Sequence, residues 1–387
     1  MASLGGPTPG PTSAILRRLW REEIQRLSLS ELRVLAGDPG VGFAMGHVEA
    51  AKKTHHELRL RLAHRLRDFL LLPHKAMANP SMQLVFQKYA AAFERHEQFK
   101  SLASEEAAQQ YWTVLAKIFE DGKNVTRQLG LGRRDLVHLD PALARSLDAF
   151  LDRFFISRIG THLVGSSFLH RGVPKGARKP AGVAMGVLQH TSPERYLRDL
   201  ADSLATSSVG AIVPIEMEET IGPDVLYVPN HLRLILREIL SNAMTATMRR
   251  ASIRGHDPAP VRVQVNRGQF GVFVTVSDQG GGIPCMERTW SWGNDFVTSL
   301  TSFDEAQLSS VEEGGDEDWA TCDEPEPRQM QLPLGFGLPL VRVTARYFGG
   351  DVKFQTLAGY GTSAYIHIPK LEQNDALGID DSGVSFA

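Results

Sequence analysis

Cysteine is nearly absent: Cys285 and Cys322 are the only two in 387 residues, too few for a disulfide framework and without metal-ligand spacing. They suit a reducing compartment. No apolar run approaches the roughly 18 to 20 residues needed to cross a bilayer, so no spanning helix is expected. Positive charge is not in excess either, with 42 Lys plus Arg against 44 Asp plus Glu. A formal net charge of −2 gives no reason to expect a nucleic-acid or membrane partner. Acids are missing from the first 21 residues, which carry Arg17, Arg18 and Arg21 among Ile15, Leu16, Leu19 and Trp20. Such a start, over residues 1–27, fits a mitochondrial presequence and equally fits a first folded helix behind a flexible leader.

Strand signals are scarce from Ser28 to His170. Residues 47–72, 82–102, 107–129 and 142–164 instead repeat apolar side chains every three or four positions, which predicts long helices. Breaks are expected at Pro73, at Asn79-Pro80 and near Gly130 to Gly132. Long helices with short connections make residues 28–180 a helical bundle. Its histidines, His47, His55, His56, His64, His74 and His96, show no metal spacing and are read as packed or solvated side chains. The stretch from Arg171 to Gly182, rich in Gly, Pro and basic residues, reads as a linker that ends this domain.

Beyond it the pattern changes. A helix is expected from Ser192 to Ser207 and a short strand at 225–229. Val261, Val263 and Val265, then Val272, Val274 and Val276, alternate with polar residues and predict two strands turning at Asn266 to Gly268. A second pair, Lys353 to Leu357 and Ser363 to Ile368, turns at Gly359 to Gly361. Helices interleaved with largely antiparallel strands imply an α+β sandwich with helices on one sheet face, over residues 181–372. Residues 373–387 form a short tail.

Asn230 to Arg250 reads as an amphipathic helix, with Asn230 as its N-cap and Leu232, Ile235, Leu236, Ile239, Ala243 and Met244 facing a core. Glu238 and Asn242 are four residues apart, so an acid and an amide share one polar face and could hold a metal ion against a ligand. Asp278 ends the second strand and is followed by Gly280, Gly281 and Gly282. A carboxylate there can accept a hydrogen bond from a base's exocyclic amine, while glycines let the chain turn closely round a ligand. Gly335 and Gly337 stand just before a helix opening at Leu338-Pro339, and bare amides at a helix N-terminus cradle phosphate.

In this order, Glu238-x-x-x-Asn242, Asp278-x-Gly280-x-Gly282, Gly335-x-Gly337-Leu338-Pro339 and Gly359-x-Gly361-Thr362 resemble the boxes of the GHKL (Bergerat) ATP-binding fold. Gyrase, MutL, heat-shock chaperone ATPases and sensor histidine kinases share that fold. The wording also resembles the mitochondrial pyruvate and branched-chain 2-oxoacid dehydrogenase kinases, in Tyr227-Val-Pro-Asn-His-Leu232, Asn242-Ala-Met, Ala246-Thr247, Ser277-Asp278 and Ala345-Arg-Tyr-Phe348. The first half agrees in Leu72-Pro73, Pro80-Ser81 and Phe150-Leu-Asp-Arg-Phe154. The resemblance implies a helical bundle followed by a GHKL α/β sandwich, and an ATP- and Mg²⁺-dependent protein serine kinase of the mitochondrial matrix. Its implied substrate is the thiamine-dependent component of a dehydrogenase complex, with docking on a lipoyl domain of the acyltransferase core and assembly as a homodimer or a heterodimer with a paralogue. Carried over by position, Glu238 is the general base and Asn242 the Mg²⁺ ligand. Asp278 reads the adenine with support from Thr362. The nucleotide set is completed by Thr245, Ala246, Gly280, Gly282, Ile283, Gly335, Phe336, Gly337 and Leu338.

The chain departs from the family pattern at Ser241 and Thr245, where the family has Lys and Arg, and at Pro333 in place of a glycine. Leu234 stands where some members have His, and the tail lacks the pyruvate-type Asp-Trp pair. An ATP lid is expected over residues 284–334, and its stretch 304–328 holds ten acids against one Arg. These departures leave room for a second reading, a catalytically weak kinase-like scaffold of the same complex. A third is a histidine kinase, for which His162 and His170 are the nearest acceptor candidates.

Overall fold

The computed structural model describes residues 11–25, 28–38, 40, 45–172, 183, 186–205, 213–219, 222–293 and 335–371. The leader before residue 11, most of the basic linker, the acidic stretch 304–328, Pro333 and the tail 373–387 lie outside the described residues.

The first half is helical as its periodicity predicts: α1 Pro11–Leu19, α2 Leu29–Ala36, α3 His47–Leu70, α4 His74–Met77, α5 Pro80–Glu97, α6 Glu105–Asp121, α7 Val125–Leu139 and α8 Ala144–Arg171. The acid-free start forms α1, which packs on α3, and just beyond it the Trp20 indole donates to the Ala63 carbonyl at 2.8 Å. Local chemistry sets several ends. Ser28 and Glu31 form a reciprocal capping box on α2, and Asn79 accepts from the amides of Ser81 and Met82 with Pro80 opening α5. α3, α5, α7 and α8 pack on one another round an aromatic cluster in which Phe69, Phe150 and Phe154 are fully buried.

One expected break is absent. α7 runs straight through Gly130 and Gly132, and the chain breaks instead at Asn124, which takes the left-handed φ of 70°. A Cβ on Gly132 would stand 3.0 Å from the Met82 side chain, so this glycine serves the close approach of α7 to α5.

The second half holds β1 Gln189–Thr191, α9 Pro193–Ala205, β2 Ile215–Glu219, β3 Val225–Tyr227, α10 Pro229–Arg254, β4 Val261–Arg267, β5 Gly271–Ser277, α11 Gly337–Tyr347, β6 Asp351–Leu357 and β7 Gly361–Pro369. Five strands form one sheet in the order β2-β4-β5-β7-β6, antiparallel except for the β2–β4 pair. β1 and β3 form a separate two-stranded ribbon. α10 packs on β4 and β5, α11 packs on β6, and the two helices pack on each other. The valines of β4 and β5 are buried beneath them while Phe273 and Tyr365 stand exposed on the opposite face. The expected order of bundle and α/β sandwich is therefore the observed one.

Two local expectations change. α10 starts at Pro229 with Val228 as N-cap, so Asn230 sits inside the first turn, 3% exposed, because proline at the first helical position begins the helix two residues early. β4 continues to Arg267, so its turn begins at Gly268 and closes with the Gly268 amide on the Gly271 carbonyl at 2.9 Å.

Candidate nucleotide site

α10 supplies the floor. Leu232, Leu236, Ile239, Leu240 and Met244 are buried, each contributing about 1.5–3 kcal/mol by leaving water, and they fix the helix against sheet and bundle. This orientation turns Glu238, Asn242 and Thr245 to the open side, with Glu238 half-buried and the other two exposed. The Thr245 hydroxyl bends back onto the Ser241 carbonyl at 2.8 Å.

Glu238 meets the start of α11. A Cβ on Gly337, the first residue of that helix, would collide with the Glu238 carboxylate. Glycine allows this approach, which sets the carboxylate beside the positive end of α11; Pro339 carries no amide hydrogen and the Leu340 amide is spent on the Phe336 carbonyl at 3.0 Å, so Gly337 and Leu338 are the first-turn donors this helix offers. Gly335 takes a φ of 66° just before, and its carbonyl accepts the Gly293 amide at 3.0 Å.

Asp278 closes the other end. Its amide donates to the Thr362 carbonyl at 2.8 Å, and its Oδ1 accepts the amides of Gly280 at 2.7 Å and Thr362 at 3.3 Å. One oxygen is thus fixed by backbone, and its plane with it. Burial raises the Asp278 carboxyl above the usual range, against the opposing pull of those two amides and of Arg250. Gly280 lies on Ala246, where a Cβ would stand 2.5 Å from the alanine's own. Gly281 and Gly282 carry φ of 100° and 89°, conformations open to glycine. Thr362 reaches Asp278 through its backbone; its hydroxyl pairs with Thr356, whose Oγ1 also accepts the Ile283 amide at 2.8 Å.

The fold therefore gathers Glu238, Asn242, Thr245 and Ala246 on one helix, Asp278, Gly280, Gly282 and Ile283 on the loop after β5, Gly335, Phe336, Gly337 and Leu338 at the start of α11, and Thr362 on β7. The stripped glycine surface and the donor ends fit a nucleotide: an acceptor for a base amine at one end, helix amides for phosphates at the other. Among the described residues no group of three or more His, Cys, Asp or Glu could hold a metal. A single amide such as Asn242 still suits Mg²⁺, which takes much of its octahedral shell from water and phosphate.

Sequence reasoning missed the connection to the bundle. Trp292 stacks on Phe155 of α8 at 4.8 Å and 15°, meets Phe336 edge-on at 4.9 Å, and donates its indole N–H to Asp152 at 2.8 Å. Arg133 of α7, paired with Asp148 at 2.7 Å, occupies the space beside Gly293. His162 is 9% exposed within α8 and packs on Phe119, with burial holding its pKa well below the usual value, which removes it as an accessible phosphoacceptor.

Two family models match the chain. One, described as mitochondrial branched-chain alpha-ketoacid dehydrogenase kinase, covers residues 27–170; the other, described as histidine kinase-, DNA gyrase B- and HSP90-like ATPase, covers residues 227–372. The chain is 29% identical to a human pyruvate dehydrogenase (acetyl-transferring) kinase isozyme 1, mitochondrial, an alignment covering 96% of this chain and 88% of that protein. It is 26% identical to a mitochondrial pyruvate dehydrogenase kinase of Arabidopsis thaliana over 83% of this chain and 85% of the relative. It is also 27% identical to a mouse isozyme 4 over 81% and 75%.

Proposed function

Because the chain belongs to the mitochondrial 2-oxoacid dehydrogenase kinase family, within the GHKL superfamily, we propose that it phosphorylates a serine of the thiamine-dependent component of such a complex and thereby inactivates it. It is a protein kinase of the dehydrogenase kinase type. The observation that carries the residue assignment is the contact of Glu238 with Gly337, which puts a carboxylate where helix amides would hold the transferring phosphate.

Phosphoryl transfer asks for positioning and charge neutralisation more than covalent catalysis. Mg-ATP supplies the phosphoryl group and a divalent charge to offset its oxygens. Asn242 would offer its amide oxygen to the cation, and the amides of Gly337 and Leu338 at the start of α11 would hold phosphate oxygens. Asp278 accepts from the adenine amine, and Gly280 and Gly282 let the backbone lie close to the nucleotide. Glu238 accepts the serine proton as the new Oγ–P bond forms and the bond to the leaving ADP breaks. An ionised carboxylate is a modest base whose use falls late in the transfer. The supporting assignments, a lipoyl domain as dock, a dimeric state and the mitochondrial matrix as compartment, rest on the family resemblance.

Incubating the full-length chain and its Glu238→Gln variant with purified pyruvate and branched-chain dehydrogenase complexes and γ-labelled Mg-ATP tests the reading. Acid-stable label on one complex with the native chain alone supports it and names the target. A second reading, a weakly active scaffold, is favoured by Thr245, whose hydroxyl is folded onto its own helix where the family pattern has a cation. ATP binding with no labelling of either complex would establish that one instead.

A further inference from the structure

We propose that Arg250 is a positioning residue for the base end of the nucleotide, an inference that rests on the nucleotide reading above. Arg250 is set about two turns beyond Asn242 on α10 and is half-buried. Its guanidinium Nη1 donates to the Gln279 carbonyl at 2.7 Å and to the Tyr360 carbonyl, and Nη2 donates to the Gly359 carbonyl at 2.6 Å. One cation therefore gathers three backbone oxygens from two separate loops. The first loop follows Asp278; the second is the turn between β6 and β7 that leads to Thr362.

The loops need such a tie. Gly280, Gly281 and Gly282 on one side and Gly359 and Gly361 on the other have no side chains to anchor them, and glycine loses the most conformational freedom when ordered. Two backbone bonds join them directly, the Gly281 amide to the Tyr360 carbonyl at 3.1 Å and the Gly359 amide to the Gly281 carbonyl at 2.9 Å. Three carbonyl dipoles converging on one point repel each other unless a cation sits between them. Arg250 is that cation, with a planar fork matched to several acceptors and a stem lying 3.9 Å from the Cβ position of Gly281. Met244 and Thr247, both buried on α10, hold its root.

The consequence falls on Asp278. Its Oδ1 is held by the amides of Gly280 and Thr362, one on each loop that Arg250 joins. The pose of the other oxygen, offered to a base amine, is then inherited from the clamp. Burial raises the Asp278 carboxyl, and the Gly280 and Thr362 amides, followed by Arg250, pull the other way. The clamp makes Arg250 a determinant of preference for adenine, whose exocyclic amine donates, over a base with an oxo group at that position.

The test compares ATP with inosine triphosphate, in competition against a fluorescent ATP, for the native chain, Arg250→Ala and Arg250→Lys. The preference for ATP should fall about tenfold in Arg250→Ala and return in part in Arg250→Lys. Equal weakening of both nucleotides, or an unchanged ratio, overturns the proposal. Hydrogen exchange at the Gly281 and Gly359 amides, read without nucleotide, should quicken in Arg250→Ala; unchanged exchange also overturns it. A native chain that binds neither nucleotide while exchange quickens defeats the nucleotide reading, and the proposal with it, but leaves the clamp as a structural fact.

Discussion

The indole of Trp292 donates to the Asp152 carboxylate across 2.8 Å, joining residues 140 apart in the chain. Trp292 follows the loop of Asp278 and touches Phe336, the residue before Gly337. Asp152 belongs to α8 of the bundle, so the support beneath Phe336 and the start of α11 reaches into the helical half.

Asp152→Leu should leave a buried indole N–H without its partner, since Trp292 is 2% exposed, and cost about 1–3 kcal/mol. Asp152→Asn keeps an acceptor and should cost less. Urea denaturation measures both, and equal losses would show that the hydrogen bond is not what Asp152 contributes.

Gly337→Ala should damage phosphate handling rather than folding. The added methyl collides with the Glu238 carboxylate, which must then leave the start of α11. Labelling should fall at least tenfold with the melting temperature nearly unchanged. A fully active Gly337→Ala chain would contradict the placement of Glu238.

Glu238→Gln keeps the shape and removes the base. A general base contributes about 10²–10⁴ in rate, so turnover should fall by that range while ATP affinity, measured by calorimetry, moves little. Loss of affinity matching the loss of rate would recast Glu238 as a binding group.

Stability should decline on mild acidification. His96 is 1% exposed, and burial, with His55 and Arg59 nearby, lowers its pKa to about 3; burial does the same to His231, also to about 3. Both fold as neutral rings, so the unfolded chain binds more protons below the ordinary value near 6.5. Their contribution is whole above that pH and is lost as pH falls toward about 3, each group adding a slope of up to about 1.4 kcal/mol per pH unit. Denaturation at several pH values should show the slope, and His96→Gln should flatten it; parallel curves would contradict the assignment.

The candidate site was legible because its motifs are local. The helical repeat puts Glu238 and Asn242 on one face and a strand end carries Asp278 and its glycines, but their roles were read from the resemblance of these ordered motifs to the GHKL boxes. The helices of the first half were likewise carried by their period. β2 went unread although Ile215 and Met217 alternate with Glu216 and Glu218, because as an edge strand it shows exposed acids rather than a buried stripe. Gly130 and Gly132 suggested a break since sequence cannot tell a packing glycine from a turn. Arg250 and Trp292 were opaque for a different reason: their partners, Gly359, Tyr360 and Asp152, lie more than 100 positions away and only the folded chain brings them near.

The most direct measurement of the central claim is the amount of γ-phosphate moved from Mg-ATP to serine on a purified 2-oxoacid dehydrogenase complex by the native chain and by Glu238→Gln, followed by mass spectrometry of the labelled peptide. The account predicts one phosphoserine on the thiamine-dependent component, formed with the native chain and reduced at least a hundredfold with the variant. Label confined to the chain itself and lost in acid, or no transfer by a chain that binds ATP, would contradict it.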